Sequence, residues 1–250
     1  MSAPAGYDAS RVGGDSRPEW RVVSFVRRGG RLTPAQRQAW ETLSRGILID
    51  VPRDQRSTSV AGGFRIDPEA VFGRSADVVL EIGGGQGEAI IAGALATPER
   101  DFIGCEVFRP GLARTMMYLH ATGLEGPPRN VRLLQADAVD ALQALPERRL
   151  SELWTFFPDP WPKLKHHKRR LINADFAELV ASRLRNGGVW RLATDWADYA
   201  AQMRAVLTAS PDLGNVFDGD APRYGRPVTK FEQRAAVEGR TVVDLAFRRR

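Results

Sequence analysis

The sequence predicts an α/β fold in which a largely parallel β-sheet is covered by helices on both faces. Two observations lead to this prediction. From residue 77 onward, short apolar runs that suit strands alternate with segments whose apolar residues recur at helical spacing. The strand runs are also continuously apolar, which is typical of strands buried on both faces of a sheet. Sheets of this kind bind ligands at the carboxyl ends of their strands.

The predicted elements follow one another in a regular order. Thr33 and Pro34 indicate the start of a first helix, as N-cap and first helical residue. Apolar runs predict strands at residues 78–82, 102–107, 131–134, 153–157, 189–194 and 241–247. Helical spacing predicts helices at residues 88–96, 110–120, 138–145, 173–184 and 198–209. Residues 186–188, Asn-Gly-Gly, are expected to end the helix that precedes them.

Length, charge and composition limit the classes of protein to consider. A chain of 250 residues with 43% hydrophobic residues suits one α/β domain and excludes global disorder. The net charge of +6 favours a polyanionic partner such as nucleic acid, although a generally Arg-rich proteome would give the same excess. Residues 1–20 have little to bury and are expected to form a disordered arm. Residues 21–250 are expected to form a single domain that starts with a basic extension.

Cysteine content and hydropathy bear on metals and location. Cys105 is the single cysteine, so neither an internal disulfide nor a cysteine metal cluster is expected. No apolar stretch has the length of a membrane span, and the N-terminus lacks a hydrophobic signal core. We therefore expect a cytoplasmic protein without a metal and without a membrane partner.

A glycine-rich loop directly follows the first strand of the predicted sheet. Glu81 lies two residues before Gly83, Gly85 and Gly87, in the pattern G-x-G-x-G. Glycines there allow a tight turn and a close approach of backbone N–H groups to a ligand. The pattern is similar to the first motif of class I methyltransferases, whereas an NAD-dependent oxidoreductase would need G-x-G-x-x-G. An ordinary glycine turn between strand and helix is the remaining alternative.

Two further acids follow the next two strands. Glu106 lies where an acid typically binds the ribose hydroxyls of a nucleoside cofactor, and its charge disfavours the 2′-phosphate of NADP. Asp137 lies where class I methyltransferases usually hold the adenine amino group, or it is the N-cap of the following helix. Together with Glu81, these acids indicate a nucleoside cofactor.

A proline-rich loop with a basic tail follows the fourth strand. The segment PDPWPK spans residues 158–163, so prolines flank Asp159, and Trp161 offers an aromatic ring that could stack on a base. Residues 163–170 are mostly basic, which favours phosphate contacts or else a solvated face. A small-molecule methyltransferase would leave this basic run unexplained. A non-catalytic RNA-binding module would leave the glycine loop and the three acids unexplained.

These segments resemble the bacterial tRNA (guanine-N7-)-methyltransferase family. The PDPWPK segment with its basic tail is similar to the family signature. Further matches lie at residues 24–34, 104–111, 193–199, 229–234, 239 and 243–245. The resemblance runs from about residue 21 to the end of the chain. It departs at Gly84, where the family commonly has a bulky residue, so packing on one side of the cofactor would differ.

The resemblance implies a class I Rossmann-like fold with a seven-stranded sheet, and an enzyme that methylates N7 of a guanine in the tRNA variable loop. It implies S-adenosylmethionine as methyl donor, S-adenosylhomocysteine as product, tRNA as partner, and a monomer or homodimer. The cofactor would be bound by Glu81, Gly83, Gly85, Gly87, Glu106, Asp137 and Asp159, and Asp159 would be the catalytic residue. The guanosine region would be bound by Lys163, Asp195, Thr229, Lys230, Phe231 and Glu232. RNA would be contacted by Lys165, His166, His167, Lys168, Arg169 and Arg170.

Overall fold

The computed structural model describes residues 30–54, 56–121, 128–223 and 225–250, and the expected arm over residues 1–20 lies outside these ranges. The strands are β1 Val78–Ile82, β2 Asp101–Cys105, β3 Val131–Leu134, β4 Leu150–Phe156, β5 Leu184–Thr194, β6 Leu213–Asn215 and β7 Val243–Arg249. The α-helices are α1 Pro34–Leu43, α2 Pro68–Phe72, α3 Glu88–Ala96, α4 Arg109–Ala121, α5 Ala138–Ala144, α6 Ala174–Arg183, α7 Ala197–Ala209 and α8 Lys230–Val237. A 3₁₀-helix spans Leu164–Arg169.

The seven strands form one sheet in the order β3-β2-β1-β4-β5-β7-β6. Strands β1 to β5 are parallel to one another, and β7 runs antiparallel to β5 and β6. This confirms the predicted seven-stranded, largely parallel sheet. From β1 the chain proceeds outward to β2 and β3, then returns to the other side of β1 to form β4. The carboxyl ends of β1 and β4 therefore adjoin at the point where the strand order reverses, which is where such sheets bind ligands.

Helices cover both faces of this sheet, as predicted. On one face Val79 and Phe102 join a buried cluster with Ile90 of α3 and Met116 of α4. The other face carries a larger cluster, which includes residues of α5, α6 and α7. The β3 edge is also covered, because Ile49 N–H donates to the Leu133 carbonyl, 2.8 Å from N to O. No helix of the described ranges is both long and apolar enough to cross a membrane.

The structure corrects the predicted helix stop at residues 186–188, shifts the bounds of several other elements, and adds elements that were not predicted. Residues 186–188 do not end the preceding helix, because α6 already ends at Arg183. They lie instead in an irregular part of β5 between the pairs Leu150–Leu184 and Glu152–Val189. Strand β6 and helices α2 and α8 were not predicted. Strand β6 has three residues and α2 has five, too few for a periodic pattern, and α8 is mostly polar.

Candidate active site

The glycine loop after β1 needs glycine at three positions. Gly83, Gly85 and Gly87 have φ values of 75°, 56° and 79°, in the left-handed region that other residues rarely adopt. The Gly83 N–H donates to the Cys105 carbonyl over 2.9 Å, so the loop starts as a continuation of the parallel ladder. The Gly87 N–H then donates to the Gly84 carbonyl over 2.8 Å and closes the turn that leads into α3.

Helix α4 packs directly against the backbone of this loop. A Cβ atom on Gly111 would lie 2.4 Å from the carbonyl oxygen of Gly85. On the loop side, a Cβ atom on Gly87 would lie 2.3 Å from Cγ2 of Thr115. Neither distance leaves room for a methyl group, so Gly111 is needed as well as the loop glycines. Gly111 was singled out only as part of the family resemblance, and this contact is its physical reason.

Glu81 offers a buried carboxyl group beside the glycine loop. Glu81 is 3% exposed, and its Oε2 has no hydrogen-bond partner within the described ranges. Burial raises the pKa of Glu81 to about 8, and the nearby carboxylates of Glu106 and Glu88 add to the shift. A Cβ atom on Gly84 would lie 3.0 Å from Oε2, so a larger residue at that position would crowd the Glu81 carboxyl group. Such a group can bind a cation or a hydrogen-bond donor.

Glu106 connects the end of β2 to the glycine loop. Its Oε2 accepts a hydrogen bond from Gly85 N at 3.0 Å, and its Oε1 accepts one from Phe108 N at 2.8 Å. Burial raises the pKa of Glu106, and the charge of Asp159 contributes in the same direction, while the backbone hydrogen bonds oppose the shift. The carboxylate is thereby held in one orientation beside the loop.

Asp137 follows β3 and is 3% exposed. It is the N-cap of α5, since its Oδ1 accepts a hydrogen bond from Val139 N at 3.1 Å. Of the two roles that the sequence left open for Asp137, the structure shows the capping of α5. The Asp137 N–H donates to the Thr58 carbonyl over 2.8 Å, so the chain near Thr58 crosses the carboxyl end of β3.

The proline-rich loop after β4 holds two non-glycine residues in the left-handed region. Phe157 has φ 52° and Trp161 has φ 45°. Such conformations cost roughly 1–3 kcal/mol each and cluster at functional sites. Asp159 lies between them in the sequence and is exposed. Its negative charge contributes to raising the pKa of both Glu106 and Tyr199. The charge of Asp159 therefore acts on Glu106, and a role of Asp159 in binding the cofactor stays a prediction.

Trp161 does not offer a ring for stacking on a base, so that prediction is wrong. The residue is only 7% exposed. Its ring meets the edge of His166 with 5.9 Å between centroids, and the guanidinium of Arg169 lies 5.0 Å from the ring centroid. Trp161 therefore stabilises the loop by packing against the basic segment that follows it.

The basic segment divides into exposed residues and one buried anchor. Lys163, Lys165 and Lys168 are exposed, whereas His166, His167 and Arg169 are half-buried. Arg170 is buried and donates to the Pro160 carbonyl, to Gln202 Oε1 and to Asp198 Oδ2 at 2.8, 2.8 and 2.5 Å. The structure contradicts the expected RNA contact for Arg170, because its guanidinium is buried and holds the proline-rich loop to α7 through these three hydrogen bonds.

The N-terminus of α8 lies over the glycine loop. Lys230 N donates to Glu88 Oε2 at 3.3 Å, and a Cβ atom on Gly85 would lie 3.7 Å from Cε2 of Phe231. Phe231 is 57% exposed. Thr229 is the N-cap of this helix, so its hydroxyl has a structural partner in Glu232 N at 3.4 Å.

Two of the expected substrate residues form ion pairs in this structure. Asp195 Oδ2 accepts from Arg240 Nε at 2.7 Å. The Glu232 carboxylate pairs with Arg226 at 2.7 Å and with Arg223 at 3.1 Å. A substrate that bound either carboxylate directly would have to share it with these arginines.

Arg226 is a residue of the site that the sequence analysis missed. It is 7% exposed and joins Glu232 to Asp244, which lies 3.1 Å away on β7. Its guanidinium also lies 5.4 Å from the ring centroid of Phe156 and 5.2 Å from that of Phe157. Arg226 therefore holds the start of α8 against the strand that leads into the proline-rich loop. Nothing in its local sequence, Gly-Arg-Pro, indicates burial.

Comparisons with known proteins agree with this geometry. The model of a family described as putative methyltransferase matches residues 75–245. Solved structures of an antibiotic-related methyltransferase and of the 16S rRNA methyltransferase KamB share the fold, with TM-scores of 0.52 and 0.51 at 17% and 18% identity. They align over 82% and 80% of this chain and over 98% and 97% of their own. Among the described residues, no cluster of His, Cys, Asp or Glu could hold a metal ion.

Curated relatives are much more similar in sequence. A tRNA (guanine-N(7)-)-methyltransferase of Cutibacterium acnes is 52% identical, over 91% of this chain and 83% of its own length. The enzyme of the same name from Nocardioides sp. is 48% identical, over 94% and 90%. That from Nitrosococcus oceani is 44% identical, over 94% of both chains. With this identity over nearly the whole length, the chain belongs to the tRNA (guanine-N(7)-)-methyltransferase family.

Proposed function

We propose that the chain transfers a methyl group from S-adenosylmethionine to N7 of a guanine in the tRNA variable loop, giving 7-methylguanosine. The names of the curated relatives support the reaction and the tRNA substrate. A tRNA substrate agrees with the cytoplasmic location predicted from the sequence. The observation that carries the proposal is the exposed Asp159 carboxylate, which lies in a strained loop after β4, the strand next to the one that leads into the glycine loop.

The residues around the glycine loop fit the proposed cofactor. Glu81 has a buried oxygen with no hydrogen-bond partner among the residues that the structure describes, which suits a cationic nucleoside that carries an amino acid. Glu106 lies at the end of β2, where a carboxylate suits ribose hydroxyls, and Asp137 lies at the end of β3. When bound, the cofactor supplies a sulfonium methyl group, which N7 takes as the carbon–sulfur bond breaks and S-adenosylhomocysteine leaves.

In the proposed reaction Asp159 would orient the guanine and offset positive charge. Guanine N7 is a hydrogen-bond acceptor with a free lone pair and carries no proton. The enzyme therefore needs no general base to deprotonate the nucleophile. Alignment of N7 with the methyl group can be worth about 7–11 kcal/mol. Positive charge spreads into the base as the new bond forms. The Asp159 carboxylate would offset that charge and accept hydrogen bonds from the guanine N1–H and amino groups.

The remaining expected residues have supporting roles in this proposal. Lys163, Lys165 and Lys168 are exposed beside Asp159 and would contact the RNA. Phe231 would contact the substrate nucleoside from the other side of the loop. Asp195 and Glu232 would act with their arginine partners. That the protein is a monomer or a homodimer stays a prediction.

The test uses an unmodified tRNA transcript and labelled S-adenosylmethionine with the purified protein. Digestion to nucleosides should place the label in 7-methylguanosine. A matched transcript, in which adenine replaces the variable-loop guanines, should take up no label. Label in any other nucleoside, or equal label in both transcripts, would contradict the proposal.

A further inference from the structure

Helices α1 and α4 carry three arginines that form no ion pair within the described residues. Arg37 and Arg109 are exposed, and Arg114 is half-buried. The one carboxylate on these two helices is Glu41, and no ion pair joins it to Arg37 although they are four residues apart. The face is therefore net positive. Since guanidinium groups without an ion-pair partner keep most of their N–H groups available for phosphate, this face is suited to a polyanion.

Aromatic rings hold two of these guanidinium groups in place. Arg109 lies over the ring of Trp40, 4.2 Å from its centroid. Arg114 lies 5.9 Å from the ring centroid of Tyr118 and donates to its hydroxyl at 3.4 Å. A stacked guanidinium keeps its outward N–H groups free while losing much of its motion. Less entropy is then lost when a phosphate binds.

Arg37 and Arg109 lie near the cofactor loop. Gln36 Nε2 on α1 donates to the Pro110 carbonyl on α4 at 3.2 Å. Arg37 follows Gln36 and Arg109 precedes Pro110, so this hydrogen bond brings the two arginines to the same end of the helix pair. That end of α4 contains Gly111, which packs against Gly85 of the loop. The face is therefore at the rim of the proposed cofactor site.

Sheet topology places this face and the basic segment on opposite sides of the glycine loop. Helix α4 connects β2 to β3, whereas residues 163–169 follow β4. Strand β1, which leads into the glycine loop, lies between β2 and β4 in the sheet. An RNA backbone that reaches the loop from the basic segment can therefore continue onto α1 and α4.

We propose that Arg37, Arg109 and Arg114 form a second phosphate-binding surface, which holds the tRNA backbone on the far side of the target guanine. The inference rests on the proposed function and adds a contact to it. Cations on both sides of the loop would fix the strand at two points and leave the nucleotide between them to enter the site.

The test is the triple variant Arg37→Gln, Arg109→Gln, Arg114→Gln, with tRNA affinity measured at several salt concentrations. The dissociation constant should rise at least tenfold at physiological salt. The slope of log affinity against log salt should fall by about 2, since each lost phosphate contact removes roughly 0.7–0.9. Cofactor affinity, measured by calorimetry, should stay unchanged.

A matched control removes three exposed charges on the side of the sheet away from the glycine loop, by Arg129→Gln, Arg148→Gln and Arg248→Gln. These positions lie near the amino ends of β3 and β4 and near the carboxyl end of the antiparallel strand β7. This control should change the salt slope by less than half as much. Because Arg109 also packs on Trp40, the set Arg37→Lys, Arg109→Lys, Arg114→Lys separates charge from packing and should restore most of the slope. If the glutamine triple binds tRNA like the control, the inference is wrong, while methylation by the wild type leaves the proposed function intact. Absence of tRNA binding by the wild type would instead reject the proposed function.

Discussion

The ring of Phe231 stacks on the ring of Phe157, with 6.2 Å between centroids and 16° between planes. Phe157 begins the proline-rich loop, and Phe231 lies in the first turn of α8, close to Gly85. Three segments that are distant in sequence therefore meet at one pair of rings. Because Trp161 is buried, Phe231 rather than Trp161 offers an exposed ring beside the glycine loop.

The first prediction concerns this exposed ring. Phe231→Ala should weaken the productive binding of tRNA by about 1–3 kcal/mol, the range for loss of one base–aromatic stack. The change should appear in kcat/KM for tRNA, with cofactor affinity preserved. Val237→Ala, at an 88% exposed position on the same helix, is the control and should leave kcat/KM unaltered. Equal effects of the two variants would argue against stacking.

The second prediction concerns the contact between α4 and the glycine loop. In Gly111→Ala the new methyl group would lie 2.4 Å from the Gly85 carbonyl, so the loop must shift. We expect a loss of about 1–3 kcal/mol in the free energy of unfolding, as for other overpacked positions. S-adenosylmethionine should bind at least about tenfold more weakly, a factor worth about 1.4 kcal/mol. Gly62→Ala is the control, because a Cβ atom there meets nothing within 4 Å. Wild-type cofactor affinity in Gly111→Ala would show that the loop does not bind the cofactor.

The third prediction concerns pH. Glu81 has a pKa near 8 in the folded protein because of burial, against an ordinary value of 4.5. Between these values the unfolded chain has lost a proton that the folded protein keeps, so stability falls as pH rises through this window, by up to about 1.4 kcal/mol per unit. Below pH 4.5 and above pH 8 this residue adds no slope. Glu81→Gln should therefore flatten the dependence, as measured by urea unfolding at pH 6 and pH 8.

Cofactor binding gives a second readout at the same residue. A bound cation favours the ionised form of Glu81, so binding at pH 7 should release a proton. Calorimetry in buffers of different ionisation enthalpy measures that release, which should vanish in Glu81→Gln. Glu99→Gln, at an exposed position, should retain both the pH slope and the proton release. An unaltered slope in Glu81→Gln would mean that another group titrates.

Much of the fold was predictable because apolar runs and glycine stops are local signals. Strands β1 and β3 and helix α3 have the predicted bounds. The Asn-Gly-Gly segment misled because glycines that commonly end a helix also suit an irregular strand. The burial of Trp161 and Arg170 was not predictable. The inward orientation of Arg170 depends on Asp198 and Gln202, about thirty residues away, and a basic run gives no indication of which side chain turns inward.

The fourth prediction concerns Arg226, the buried arginine that joins α8 to β7. Arg226→Gln would leave Asp244 and part of Glu232 uncompensated in a poorly hydrated place. We expect a loss of about 3–5 kcal/mol in the free energy of unfolding, the range for breaking a buried ion pair. The control is Arg234→Gln, whose exposed pair with Glu238 should contribute at most about 0.5 kcal/mol. Similar losses in both variants would contradict a special role for Arg226.

The last prediction concerns Asp159 and separates charge stabilisation from base catalysis. If Asp159 orients guanine and offsets the growing positive charge, Asp159→Asn should fold normally and slow methyl transfer by about 10²–10³. Asp159→Ala should be slower still, since hydrogen bonding is lost with the charge. Because the charge of Asp159 raises the pKa of Glu106, removing it should lower that pKa and leave cofactor binding no weaker. Asp175→Asn, at an exposed position on α6, is the control for loss of one carboxylate. Single-turnover rates at saturating tRNA isolate the transfer step from binding. A wild-type rate in Asp159→Asn would reduce Asp159 to a structural loop residue and remove the mechanism proposed for this site.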